Sequence, residues 1–149
     1  MKMTFSSTSN ATQSGFRIIN LEKLGEFVTS VTSHVLQCPK AALLSADEAP
    51  IQVLGEVFRD GLASFVAVKC NGCSHVIQLK PPKMPSSNKF EINIRAVWGQ
   101  MVTGGGCASL NESLSTMGVP ALAEKSFKDI EEIIGEWWAK VHGLFEIFY

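Results

Sequence analysis

The sequence has no apolar run near the ~20 residues that a helix needs to cross a bilayer. Its opening, Met1-Lys2-Met3-Thr4-Phe5-Ser6-Ser7, has no apolar stretch of the kind a secretory signal carries. These absences predict a chain that works in the cytosol or nucleus, with no membrane partner. Charge of one sign is also missing, since 13 Lys and Arg stand against 14 Asp and Glu, for a net charge of −1. The overall basic excess of an autonomous nucleic-acid binder is therefore absent, and any phosphate contact must come from a local patch. No Walker pattern surrounds Gly104-Gly105-Gly106, so that run reads as a sharp turn and not as a nucleotide cradle. The carboxylates Asp129, Glu131 and Glu132 crowd one helical surface, and no isolated pair suited to acid–base catalysis stands out. Nothing favours a Ser-His-Asp or Cys-His nucleophile or a small-molecule substrate.

What is present is a globular composition, with 46% apolar residues and a mean hydropathy of +0.15. A chain of 149 residues has room for one domain, hiding roughly 68–70% of the surface of its unfolded form. Residues 1–15 are rich in Ser, Thr and Asn and predict a loose tail, because ordering them would cost entropy with little burial to offset it. Asn20 is a good N-cap, and Leu21, Leu24, Phe27, Val28, Val31 and Val35 form a helical stripe that Pro39 must end. Ile51–Phe58 and Leu62–Lys69 flank Arg59-Asp60-Gly61, a hairpin signal, and His75–Leu79 gives a third strand closed by Pro81-Pro82.

Beyond residue 88 the period becomes helical. Ile92, Ala96, Val97 and Met101 make one stripe, stopped by the three glycines. A short helix from about Cys107 to Met117 follows, and then a long one carrying Phe127, Ile130, Ile133, Ile134, Trp137, Trp138, Val141, Leu144, Phe145 and Phe148. Adjacent residues on a helix point about 100° apart, so one tryptophan faces inward and the other is partly exposed. Leu144, Phe145 and Phe148 need a covering partner, a second copy or another protein.

Four soft donors carry the chemistry. His34 and Cys38 lie four apart at a helix end, and Cys70 and Cys73 form a Cys-x2-Cys turn between two strands. Two donors from each of two segments is the pattern of a closed structural zinc site, which leaves no position for substrate. His34 is the first choice for the fourth ligand, with His75 and Cys107 as alternatives. Lys80, Lys83, Lys89 and Arg95 cluster with only Glu91 to offset them, and are the candidate DNA-phosphate edge. The expected fold is α+β: a zinc-stapled antiparallel β-meander with an N-terminal helix (16–80), then three helices of helix-turn-helix outline (81–149), packed together as one domain.

Several ordered strings resemble the N-terminal part of Mutator-like transposase domains. They are Phe16-Arg17-Ile18-Ile19-Asn20, Phe58-Arg59-Asp60-Gly61-Leu62-Ala63-Ser64, the Cys70–Cys73 knuckle, Arg95-Ala96-Val97-Trp98-Gly99-Gln100 through Gly106, Leu110-Asn111-Glu112, Met117-Gly118-Val119-Pro120 and Lys125-Ser126-Phe127. The likeness covers roughly residues 16–140. Many relatives carry the first knuckle as Cys-Pro-x-Cys, whereas Ala41 stands at the second position here, and His34 is expected to replace it. The resemblance implies a nuclear, zinc-containing, DNA-recognising and assembly region of a transposase or of a host protein derived from one. It implies no catalysis by these residues, because family members carry an RNase-H-like core further downstream. The competing expectation is a zinc-stabilised protein-interaction module that does not bind DNA.

Overall fold

The computed structural model describes residues 15–145, so the expected tail falls outside it apart from Gly15. The order is α1 (Leu21–Gln37), a 3-10 turn (Ala41–Leu43), β1 (Ile51–Asp60), β2 (Ala63–Cys70), β3 (Val76–Leu79), α2 (Glu91–Thr103), α3 (Cys107–Thr116) and α4 (Glu124–Phe145). The strands form one antiparallel sheet, β1-β2-β3, giving the expected α+β class. No helix among the described residues is long and apolar enough to cross a membrane.

The Asn20 side chain accepts a hydrogen bond from Lys23 N at 3.0 Å, which satisfies one of the free N–H groups that every helix start leaves. The helix then lies along β3. Its burial is shallow. Leu24, Phe27, Val31, His34 and Val35 are half-buried, Leu21, Val28 and Leu36 are exposed, and no side chain of α1 is fully buried. A helix held this lightly needs another attachment, and its last turn carries one.

The hairpin turn sits one residue later than the sequence suggests. Asp60 pairs with Ala63, so the two turn residues are Gly61 and Leu62. Gly61 has φ 59°, and a β-carbon there would lie 2.5 Å from Leu122 Cδ1 and 2.9 Å from the Asn93 amide. Glycine is required both by backbone conformation and by space. Register shifts between Val53 and Gly55 and between Glu56 and Phe58 bulge β1 and re-aim its far end. Leu62 is carried inward and joins Ile94, Val97, Leu110, Leu114, Leu122, Phe127, Ile130 and Ile134 in the main core.

Asn93 fastens this turn to α2. Its Oδ1 accepts from Leu62 N at 2.8 Å and its Nδ2 donates to the Asp60 carbonyl at 3.0 Å, with the side chain buried. The inward face of α2 is therefore Asn93, Ile94 and Val97, flanked by Ile92, Ala96 and Met101. The glycine run ends α2. Gly104 adopts φ 74°, its N–H reaches Met101 O, and Gly105 N reaches Gln100 O at 2.8 Å. Those amides close the helix and are not left free for a phosphate.

On α3, Leu110 and Leu114 are buried, while Asn111 grips Leu122 from both sides, accepting from its N–H at 2.8 Å and donating to its carbonyl at 2.9 Å. On α4, Phe127, Ile130 and Ile134 are buried and Trp137 packs against the same core. Trp138 is 42% exposed and meets Trp98 edge-on, 6.5 Å between centroids, so the two neighbouring tryptophans divide as expected. The side chains of Leu144, Phe145 and Phe148 lie outside the described residues.

Candidate metal centre

The last turn of α1 supplies His34, and the extended residue that follows the helix is Cys38, whose carbonyl accepts from both Ala41 N and Ala42 N. Pro39 removes the N–H that would continue the helix, so the chain doubles back in the 3-10 turn directly beyond Cys38. The other pair comes from the end of β2. Cys70 is the last residue of the strand, and the knuckle folds tightly because Ser74 N donates to Cys70 O and Cys70 N donates to His75 O, both at 2.8 Å.

The two segments meet backbone to backbone at Gly72. A β-carbon there would stand 2.5 Å from Lys40 C and Ala41 N and 2.6 Å from Lys40 O. The replacement Gly72→Ala must therefore push the knuckle off the Cys38 turn. We expect it to destabilise the metal-loaded protein by about 2 kcal/mol, the scale of an overpacked interior, checked by urea unfolding; an unchanged midpoint would contradict the close approach.

Together the segments bring four donors to one point. Cys38 Sγ and Cys70 Sγ are 4.0 Å apart, Cys73 Sγ and His34 Nε2 are 3.3 Å apart, and all four ligand atoms lie within 4.8 Å of one another. Cys38 and Cys70 are buried, His34 and Cys73 half-buried, and none of the cysteines is in a disulfide. These residues are placed to bind a metal ion. Cys38, Ala41 and Cys70 also form a small apolar cluster with Ile51 and Cys73, so Ala41 packs as a wall of the site.

The electrostatics favour thiolate at Cys70. The Cys73 backbone N–H, with help from His34 and the Gly72 N–H, outweighs burial and brings the Cys70 thiol from an ordinary 9.0 down to about 6. Cys73 moves the other way. The His75 N–H lowers it, but burial and the nearby Cys38 and Cys70 sulfurs outweigh that and raise it. Crowded sulfurs that repel one another's charge are the situation a bound cation relieves.

The two alternatives for the fourth donor fall outside this group of four. His75 stacks on His34, 4.9 Å between centroids at 25°. Cys107 sits in the helical region, where its thiol points at Leu122 O, 3.7 Å away, and accepts from Asn111 Nδ2.

The comparison with known families bears on the whole arrangement. The Mutator-like transposase family model matches residues 15–143, most of the chain. The chain belongs to the Mutator-like transposase family. No curated protein and no solved structure shows significant similarity to it. In this Mutator-like domain the strings that resemble the family hold the fold together. Arg17 forms a two-point ion pair with Glu56, 2.9 and 3.1 Å, tying the segment before α1 to β1. Burial raises the Glu56 pKa, but the hydrogen bonds from Arg17 and Ser64 outweigh it and leave the carboxyl below its usual value. Gly61 and Leu62 turn the hairpin into the core, and Gly118, at φ 66°, lets the chain leave α3 so that Val119 is buried.

The four cations of the candidate phosphate edge are distributed around the start of α2. Lys80 is exposed after β3. Lys83 donates to Asn88 Oδ1 at 2.6 Å and lies over the Phe90 ring. Lys89 pairs with Asp129 at 3.4 Å, and Arg95 pairs with Glu91 one helical turn back. The Asp129 pairing spans 40 residues and could not be read from the local sequence.

Proposed function

We propose that this chain is a zinc-binding, non-catalytic region of a Mutator-like transposase, or of a host protein derived from one, that recognises DNA and assists assembly in the nucleus. The observation that carries the zinc assignment is the convergence of three cysteine sulfurs and one imidazole nitrogen within 4.8 Å. Tetrahedral zinc with Zn–S of about 2.3 Å sets its sulfurs about 3.8 Å apart, and the Cys38–Cys70 separation of 4.0 Å suits it. Four protein donors fill a tetrahedral ion, so the role we assign the metal is structural. Zinc here would tie α1 to the end of β2.

The DNA assignment rests on family membership, on α2, α3 and α4 as a helix-turn-helix-like unit, and on Lys80, Lys83, Lys89 and Arg95 at its edge. Fluorescence anisotropy with random duplex DNA at 50 and 200 mM salt tests it. If four phosphates are neutralised, log K falls against log salt with a slope of about −3.5, a loss of about a hundredfold over that range. Lys80→Ala with Lys83→Ala is expected to flatten the slope by about 2.

A second reading is a zinc-stabilised protein-interaction module. It is favoured by the net charge of −1 and by the acidic partners of Lys89 and Arg95. Absence of DNA binding at 50 mM salt would leave this reading standing.

A further inference from the structure

His75 lies outside the donor set, yet it touches three of the four donors. Its carbonyl accepts from Cys70 N at 2.8 Å, its N–H points at the Cys73 thiol, and its ring lies stacked on that of His34. The 25° tilt and 4.9 Å centroid separation put one imidazole over the other face to face, offset, as flat rings prefer. His75 is itself exposed, whereas His34 is half-buried, so the His75 ring covers part of the solvent side of the ligand. The residue that aims it there is Ser74, held at φ 61° with its N–H bonded to Cys70 O. A non-glycine residue in the left-handed region is uncommon and costs free energy, so the knuckle maintains this direction against a local preference.

We infer that His75 is a positioning residue for the metal centre, its ring clamping and shielding His34. The inference rests on the zinc reading. It assigns the ring a job distinct from that of the main chain. Residue 75 of any type can offer its N–H and carbonyl to Cys73 and Cys70, but only a flat ring can stack on His34. Groups that orient a metal-bound imidazole from outside the donor set typically contribute 10- to 100-fold in metal affinity.

The test compares wild type, His75→Ala and His75→Phe, each loaded with zinc and then exposed to a chromophoric chelator, with cobalt(II) loading in parallel. We expect His75→Ala to release zinc about tenfold faster or bind it about tenfold more weakly, and His75→Phe, which stacks but cannot coordinate, to behave as wild type. The visible bands of cobalt bound to three sulfurs and one nitrogen should be the same in all three. Equal release from His75→Ala and wild type, or equally fast release from both variants, would overturn the clamp. Loss of the cobalt bands in both variants would overturn it differently, by making His75 a ligand. A wild-type protein that takes up neither metal would remove the zinc reading and the clamp with it.

Discussion

Zinc removal is expected to detach α1 while leaving the helical core folded. Structural zinc contributes about 10–16 kcal/mol in small zinc-finger peptides, comparable with the whole stability of an ordinary domain. Here the dependence should be local, because α1 has no fully buried side chain and carries the donor His34 on its last turn. The main core, built from Leu62, residues of α2, α3 and α4, and Val119 and Leu122 between α3 and α4, includes none of the four donors. The three tryptophans, Trp98, Trp137 and Trp138, all belong to α2 and α4, where Trp137 packs on that core and Trp98 meets Trp138 edge-on. On adding chelator, amide protection across α1 should collapse and far-UV helicity fall, with the tryptophan emission maximum unchanged. Cys70→Ser should reproduce the effect and abolish stoichiometric zinc. Undiminished protection of α1 after complete metal removal would refute the attachment.

Acid should act in the same direction. The folded Cys70 thiol is lowered below its unfolded value of 9.0, so the stability it contributes is complete above that value and is lost as pH falls through about 6. Protons compete with metal for the same sulfurs and the His34 ring. Zinc release should therefore grow on acidification, and pH-independent retention between pH 7 and 4 would contradict thiolate ligation.

Asn93→Ala is expected to destabilise the protein by about 2 kcal/mol, because it leaves the buried Leu62 N–H without its acceptor, at about 1–3 kcal/mol for an unsatisfied group, and removes the bond to the Asp60 carbonyl. Both hydrogen bonds come from one amide. The loss should appear in urea unfolding followed by tryptophan emission, since the turn abuts Leu122 and Ile94 in the core that the tryptophans report. Asn93→Asp keeps an acceptor for Leu62 N but sets a charge against the Asp60 carbonyl, and should be no better. A change below about 0.5 kcal/mol, typical of surface substitutions, would show that the bonds are not formed in solution.

Much of this architecture was readable from local pattern. The α1 stripe with its Asn20 cap, the three-strand meander, the knuckle and the long apolar face of α4 all follow from spacing, capping and turn chemistry that act over a few residues. The misses share a physical cause. Asn93 was not read as a core residue because a polar side chain interrupts an apolar stripe, and its partners lie 31 and 33 residues away. The sequence places the hairpin turn at Arg59-Asp60-Gly61 because Asp-Gly is a good turn former, but two bulges and the pull of the core on Leu62 move it to Gly61-Leu62. Sequence makes His34 the first choice for the fourth donor and leaves His75 and Cys107 as alternatives, since 32 or more residues separate the segments that converge. Lys80, Lys83, Lys89 and Arg95 stand close together in the sequence, while Asp129, the partner of Lys89, lies 40 residues away and gives no local signal.

The hairpin is a strut with unlike fastenings at its two ends. Ten residues of β1 span about 30 Å, with Ile51 and Cys70 at the sulfur cluster and Gly61 and Leu62 plugged into the helices. With zinc bound, one end would be held by a reversible, acid-sensitive and chelatable joint, and the other by water-excluding contact that none of those agents dissolves. A signal passed from the metal end to α2 and α4 along this pair of strands would be absorbed or redirected at the bulges at Leu54 and Val57, where β1 bends.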